Sequence, residues 1–418
     1  MNQIATLLKK INLFIILGIS NPSMNKTAAL KARIQSIDLL RGLVMIIMAL
    51  DHVRHMLHYD NCIGHDPLDF STTWPTLFLT RWVTHFCAPV FVFLSGTSVF
   101  LYSQKRKTKK EIAFFLFTRG VWLMLAEIFL IDPLWDFSFF NVFVLQVIWA
   151  IGLSMVCLSV LQFLPYKILL GIGILIVSCH NLLDGIRVEN PLAASIAWSI
   201  FHNQHFYQLG AHHLLIIMYP FLPWLGLMIL GYCLGKLYLH TTDSKYRKKF
   251  LLTTGIIIIA LFIVIRFINS YGDMHHWSHQ KTTIFTILDF IKTTKYPPSL
   301  LFMSMTIGPA LIFLAFAENI SNPITKKITV FGKVPFFYYV LHVFLIRAVS
   351  WIFFFASGHT WAQLDFTHFR EGHIPLGIGY PLWIVYVVWI CVIVILYFPC
   401  KWYSRYKETH HQWWLSYL

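Results

Sequence analysis

The chain has 418 residues, of which 57% are hydrophobic and 12% charged, and a mean hydropathy of +0.64. A soluble domain of this length needs far more charge to cover its surface, so this class is excluded. The formal charge of +15 does not indicate a nucleic-acid partner, because the basic residues fall in short runs between apolar spans.

Residues 1–34 read as a leader or cytoplasmic N-terminal segment. Lys9-Lys10 before the apolar run 11–19 resembles a signal peptide without a small-residue cleavage site, and Met24 is as good a start as Met1. Spans of about 20 apolar residues then follow at 36–56, 77–102, 112–131, 138–163, 167–184, 213–238, 250–269, 299–317, 328–356 and 380–400. The expected fold is therefore all-α, a polytopic integral membrane protein with about ten transmembrane helices in one bundle. Its membrane domain covers 35–402, and 403–418 form a cytoplasmic tail. The outer segments 185–212 and 270–298 contain apolar stretches that read as re-entrant or partly helical.

Basic residues orient the bundle. Lys105-Arg106-Lys107 with Lys109-Lys110, Lys245 with Arg247-Lys248-Lys249, Lys326-Lys327, and Lys401 with Arg405 and Lys407 all follow even-numbered spans. The loops 57–76 and 132–137 contain neither Lys nor Arg. By the positive-inside rule both termini are cytoplasmic. Lys281, Lys292 and Lys295 in 270–298 weaken the asymmetry without reversing it.

The seven cysteines form no C-x-x-C pair and fall mostly inside apolar spans, so they read as small buried residues. Histidine is asymmetric: of 20, only His240, His410 and His411 fall in cytoplasmic segments. The clusters His202/His205/His212/His213 and His275/His276/His279 lie outside. None forms an H-E-x-x-H motif, so they read as solvated or interfacial, and no metal is expected.

Ionisable residues at membrane depth are costly and mark candidate sites. The first span has Asp38 and Arg41 near its start and Asp51-His52 near its end. Arg41 and His52 are eleven positions apart, almost three turns, so they share a face about 16 Å apart along the axis. Asp38 can pair with Arg41 by i,i+3 spacing. The bland reading makes Asp38 and Arg41 an interfacial pair and His52 a cap. The second span adds Arg81 and His85 at the level of Asp51, then Pro89, which can kink it, and the small run Ser95-Gly96-Thr97-Ser98, which permits close helix contact. Arg119, Glu127, Gln146, His342 and Arg347 add further polar atoms.

Ser36-Ile37-Asp38-Leu39-Leu40-Arg41-Gly42 resembles the opening motif of the heparan-α-glucosaminide N-acetyltransferase family and its bacterial relatives. Pro89-Val-Phe-Val-Phe-Leu-Ser-Gly96 resembles the second-helix motif of that family, and Val144-Leu145-Gln146 a later one. Lys295-Tyr296-Pro297-Pro298-Ser299-Leu300 and Gly332-Lys333-Val334-Pro335-Phe336-Phe337 look like bacterial signatures. Arg41-x10-His52 is also similar to the first-helix pattern of the acyltransferase-3 proteins. The resemblance covers about 33–400. It departs at Phe70-Ser71-Thr72-Thr73-Trp74-Pro75, where the animal enzyme has its proposed catalytic His within His-Ala-Pro-Trp.

The resemblance implies a membrane acyltransferase that moves an acetyl or short acyl group from cytoplasmic acyl-CoA to a sugar or amino sugar on the outer side, in a bacterial inner membrane. With the family's loop His missing, the base falls to His52, with His85 as the alternative. Arg81 would stabilise developing negative charge, and Asp51 would hold Arg54 or Arg81. Arg41, supported by Asp38, is the candidate for CoA phosphates, and Gln146 for the pantetheine arm or acceptor. Expected partners are acyl-CoA, the glycan, the bilayer and, as an option, a second copy of the chain; nucleic acid is not expected. A small-molecule transporter and a structural membrane component remain the alternatives, although the chain has neither a two-fold repeat nor paired broken helices.

Overall fold

The computed structural model describes residues 34–59, 65–104, 108–136, 142–210, 213–318, 320–364, 374–375, 377–410 and 412–416. The leader, Cys62, the run 105–107 and His212 lie outside them. The helices, in chain order, are α1 (Gln35–Leu57), α2 (Pro75–Thr84), α3 (Cys87–Ser103), α4 (Lys109–Ala126), α5 (Asp132–Asp136), α6 (Val147–Leu161), α7 (Tyr166–Cys179) and α8 (Leu192–Phe201). They continue as α9 (Phe221–Leu234), α10 (Ser244–Ile268), α11 (Thr283–Ile291), α12 (Leu300–Ala317), α13 (Pro323–Lys333), α14 (Pro335–Ala356) and α15 (Leu382–Thr409). Three strands, β1 (Val142–Leu145), β2 (His205–Leu209) and β3 (His213–Ile217), form one small sheet in the order β1-β3-β2.

Among the described residues, eight helical stretches are long and apolar enough to cross a membrane: α2 with α3, α4 through to Trp135, α7 to Leu183, α9 to Tyr238, α10, α12, α14 and α15. The protein is an integral membrane protein. α10 has the burial of a lipid-facing span: Ile256, Ile257, Leu261, Val264 and Phe267 are exposed, while Leu251, Gly255, Phe262 and Arg266 are buried. The expected count of about ten also included α1 and α6. α1 carries four charges, Asp38, Arg41, Asp51 and Arg54, and α6 has only 15 residues. α1 accommodates its charges because α3, α12, α13, α14 and α15 pack around it, so it faces protein rather than lipid.

Four expected spans are corrected. Those at 138–163 and 213–238 contain strands, β1 and β3, which pair in parallel from Val142 opposite Leu214 to Leu145 opposite Ile217. A continuous apolar run does not distinguish strand from helix. The span at 328–356 breaks at Val334, whose φ of −132° and ψ of 52° leave the helical region. The break comes from Pro335, whose ring disfavours the α conformation in the residue before it. The last span is longer than expected, since α15 runs on to Thr409 instead of ending near 400.

The second span is broken where Pro89 predicts. α2 ends at Thr84 and α3 starts at Cys87, which puts Pro89 in the first turn of α3, where its missing N–H costs no hydrogen bond.

Glycines set the closest crossings. A Cβ at Gly332 of α13 would lie 1.9 Å from the Asp38 carbonyl oxygen of α1, and one at Gly231 of α9 would lie 1.9 Å from that of Phe93 in α3. Gly231→Ala is therefore expected to destabilise the detergent-purified protein by about 1–3 kcal/mol. Gly171→Ala in α7, where a Cβ would meet nothing within 4 Å, is expected to be neutral or slightly stabilising. Thermal unfolding checks both, and equal midpoints would contradict the close crossing.

Candidate active site

The sheet end of α1 presents two neighbouring side chains in different directions. His52 faces α14, where its Nδ1 lies 2.7 Å from Nε2 of His342. His342 Nδ1 is 3.0 Å from the Tyr338 carbonyl oxygen. A carbonyl oxygen only accepts, so the neutral His342 ring carries its proton on Nδ1 and leaves Nε2 as an acceptor. His52 must then donate from Nδ1, which places the lone pair of its neutral ring on Nε2. One backbone carbonyl thus sets both tautomers, and His52 has its basic nitrogen turned away from the pair.

The rings stack, with centroids 4.8 Å apart and planes 18° apart. Trp135 of α5 meets His52 edge-on at 4.8 Å, and Tyr339 lies at 6.3 Å. His342 is fully buried and His52 half-buried, so His52 is the more exposed member of the pair.

Asp51 points toward α2. Its Oδ1 accepts from Arg54 at 3.1 Å and its Oδ2 from Arg81 at 2.5 Å. Both expected partners are therefore bound at once, one by i,i+3 spacing and one across helices. Arg81 also donates to Thr84 Oγ1 at 3.3 Å.

Between β3 and α9, Tyr219 packs edge-on against Tyr296 at 5.3 Å, and Lys295 Nζ sits 5.0 Å from the Tyr296 ring and 5.9 Å from that of Tyr219. Burial raises the pKa of the Tyr296 phenol, but the cations Lys295 and Arg81, together with hydrogen bonds to Lys295 and Tyr219, outweigh it and hold this group below its usual value. Burial and the neighbouring Tyr296 push Tyr219 the other way. Tyr296 is the more acidic phenol of the pair.

At the opposite end of α1, Arg41 is a junction. Its Nη1 donates to Asp38 Oδ1 at 3.0 Å and to the Gly332 carbonyl at 3.1 Å, and its Nη2 donates to Ser98 Oγ at 2.7 Å. This ties α1 to α3 and α13. The contacts of Arg41 and Asp51 with opposite ends of the α2–α3 segment run that segment antiparallel to α1.

His85 is 1% exposed, edge-on to Phe302 at 5.3 Å, with neither ring nitrogen hydrogen-bonded among the described residues. It is fully buried where His52 is only half-buried. Gln146 caps α6 through its backbone, its carbonyl accepting from Ala150 at 3.0 Å. It follows Leu145, whose carbonyl accepts from the Tyr219 amide at 3.1 Å, so it sits beside the tyrosine pair rather than with Arg41. Glu127 accepts from the Trp149 amide at 3.0 Å, covering the N-terminus of α6 in place of a Gln146 side-chain cap.

Residues 33–263 match the family model described as heparan-alpha-glucosaminide N-acetyltransferase, catalytic, which is more than half of the chain. The chain belongs to this family. Among curated proteins, none matches it. The matched acetyltransferase-family region holds Asp38, Arg41, Asp51, His52, Arg81, His85, Gln146 and Tyr219. His342 and Lys295 lie beyond it, so the candidate site draws on residues outside the family match. In the sequence, His342 stands out only as a polar residue at depth and Lys295-Tyr296 only as a motif, and neither is joined to His52. The one signal for His342 is a single imidazole in an apolar span.

Proposed function

We propose that this protein is a membrane acyltransferase moving an acetyl or short acyl group from cytoplasmic acyl-CoA to a hydroxyl or amine of a sugar on the outer side of a bacterial inner membrane, across a bundle of about ten spans. The observation that carries this reading is the His52–His342 pair, whose tautomers turn the basic nitrogen of a half-buried imidazole away from the pair, on a helix within the family match.

In this mechanism the acceptor oxygen or nitrogen attacks the thioester carbonyl carbon and gives its proton to His52 Nε2. The imidazolium formed still donates from Nδ1 to His342, which favours the charged state without moving the ring. Lys295 and the Tyr296 hydroxyl are the donors we assign to the tetrahedral oxyanion, because Arg81 is already held by Asp51. Collapse of the intermediate breaks the carbon–sulfur bond, and the departing thiolate takes its proton from His52. The products are the acylated sugar and free CoA.

Asp51 holds Arg54 and Arg81 beside the base through its two oxygens and offsets part of their charge. Arg41, backed by Asp38, lies at the end where the basic runs gather, and we assign it to the donor side, holding α1, α3 and α13 around the CoA phosphates. Gln146, beside Tyr219, is assigned to the acceptor or the end of the pantetheine arm. Separation of Arg41 from His52 by about 16 Å suits a donor with a long flexible arm.

The test uses the full-length protein in sealed liposomes with labelled acetyl-CoA on one side and amino sugars or glycans on the other. Label appearing on the sugar, dependent on CoA being at the basic end, is the expected result. Absence of CoA binding, or solute flux that ignores CoA, would overturn the reading in favour of a transporter.

A further inference from the structure

α7 runs into a 3-10 turn, His180–Leu183, which leads to Asp184, and α8 ends at Phe201 just before His202. Ser195 and Ser199 of α8 hydrogen-bond the Tyr207 hydroxyl of β2 at 2.8 and 2.7 Å, which places this junction at the sheet end of the bundle. One donor atom from each of His180, Asp184 and His202 lies within 4.8 Å of the other two. His202 Nε2 is 2.9 Å from Asp184 Oδ1, and the two imidazole centroids are 5.6 Å apart.

Both histidines are only 2% exposed, which corrects the reading of His202 as solvated or interfacial. Neither nitrogen of His180, nor Nδ1 of His202, has a hydrogen-bond partner among the described residues. A buried imidazole with both nitrogens unpartnered is unusual in a folded protein. Here it stands in a cluster with a second imidazole and a carboxylate.

We infer that His180, Asp184 and His202 form a binding site for a divalent transition metal, with zinc the cation that fits them. Two imidazoles and one carboxylate are a donor set that zinc accepts as three protein ligands with a fourth position open. Imidazole donors disfavour magnesium and calcium, which take oxygen. Ligands about 2.0–2.2 Å from a tetrahedral ion stand about 3.3–3.6 Å from one another. The present spacing reaches this by small side-chain rotations, with the ion replacing the His202–Asp184 hydrogen bond.

The outer shell is already built. Asp184 Oδ2 accepts from Asn181 Nδ2 at 2.8 Å, and Asn181 Oδ1 accepts from the Leu300 amide at 2.9 Å. The carboxylate is thereby oriented by a residue tethered to α12, the arrangement that fixes metal-ligating groups. A bound ion clamps α7 to α8 across the segment 185–191. This inference is independent of the acetyltransferase reading, and it revises the expectation of no metal.

The test is metal binding by full-length protein purified in detergent and stripped with EDTA. Zinc content is measured after loading and desalting, and Co2+ serves as a spectroscopic probe whose visible absorption intensifies in tetrahedral coordination. The expected result is one ion per chain, a tetrahedral cobalt spectrum and a zinc-dependent rise in unfolding temperature. His180→Ala and His202→Ala are expected to lose all three signals, Asn181→Ala to weaken binding about 10- to 100-fold, and His205→Ala to retain them. Wild-type protein that binds neither ion would overturn the site whether or not the variants fold. So would stoichiometric binding that survives in both His180→Ala and His202→Ala.

Discussion

His52→Ala is expected to lower kcat/KM for acetyl transfer by about a hundred- to ten-thousand-fold, the span covered by loss of a general base. The fall should lie mainly in kcat, because the removed group acts on a proton in flight rather than on bound substrate. His342 should behave differently. His342→Ala keeps the base but removes the acceptor that holds the proton on Nδ1 of His52, and about tenfold to a hundredfold is expected to be lost, less than for His52 itself. His342→Gln can place its amide oxygen near the former Nε2 and accept the same hydrogen bond, so it should recover part of that loss. Steady-state kinetics on the four proteins check the order. A His342→Ala enzyme as active as wild type would remove the orienting role, and a His342→Gln enzyme worse than His342→Ala would contradict the tautomer argument.

Asp51→Ala is expected to cost about 3–5 kcal/mol of stability, the scale set by removing one partner of a buried ion pair. Arg54 is 3% exposed, and its Nε and Nη1 have no hydrogen-bond partner among the described residues. Asp51 pairs with Arg54 through Nη2 and also holds Arg81 at 2.5 Å. Without Asp51, two guanidinium groups face one another inside the bundle with their counter-charge gone. Removing one cation as well should recover part of the loss, so Asp51→Asn with Arg81→Gln is expected to be more stable than the sum of the single variants predicts. Thermal unfolding of the single and double variants in detergent checks this, and strict additivity would sink the ion-triad account.

The membrane class, most of the helices and the two-ended character of α1 were legible in the sequence because each is written locally. An apolar run announces a span, and Asp38–Arg41 and Asp51–Arg54 are i,i+3 pairs that one helix dictates. The break at Val334 was also written there, in Pro335, but the apolar residues on both sides masked it. The strands were not legible, because 142–145 and 213–217 continue straight into apolar helices and only the pairing of two distant segments reveals them.

The site divides along the same line. Arg81 was found because its helix follows α1 directly and its level in the membrane could be counted. His342 is 290 positions from His52, and no periodicity links them. The same holds for His180, Asp184 and His202, whose spacing matches no metal motif and whose convergence depends on how α7 and α8 turn. Arg41 divides in the same way: its pair with Asp38 is written in the i,i+3 spacing, whereas its bonds to Ser98 and the Gly332 carbonyl depend on how α3 and α13 pack against α1.

The most direct test of the central claim is single-turnover acetyl transfer from labelled acetyl-CoA to an amino-sugar acceptor, measured for wild type, His52→Ala and His85→Ala in the same liposome preparation. His52 as the base predicts that transfer collapses in His52→Ala, while His85→Ala, altered at a fully buried position, retains at least about a tenth of the wild-type rate. Transfer that survives in His52→Ala, or that is lost only in His85→Ala, would contradict it.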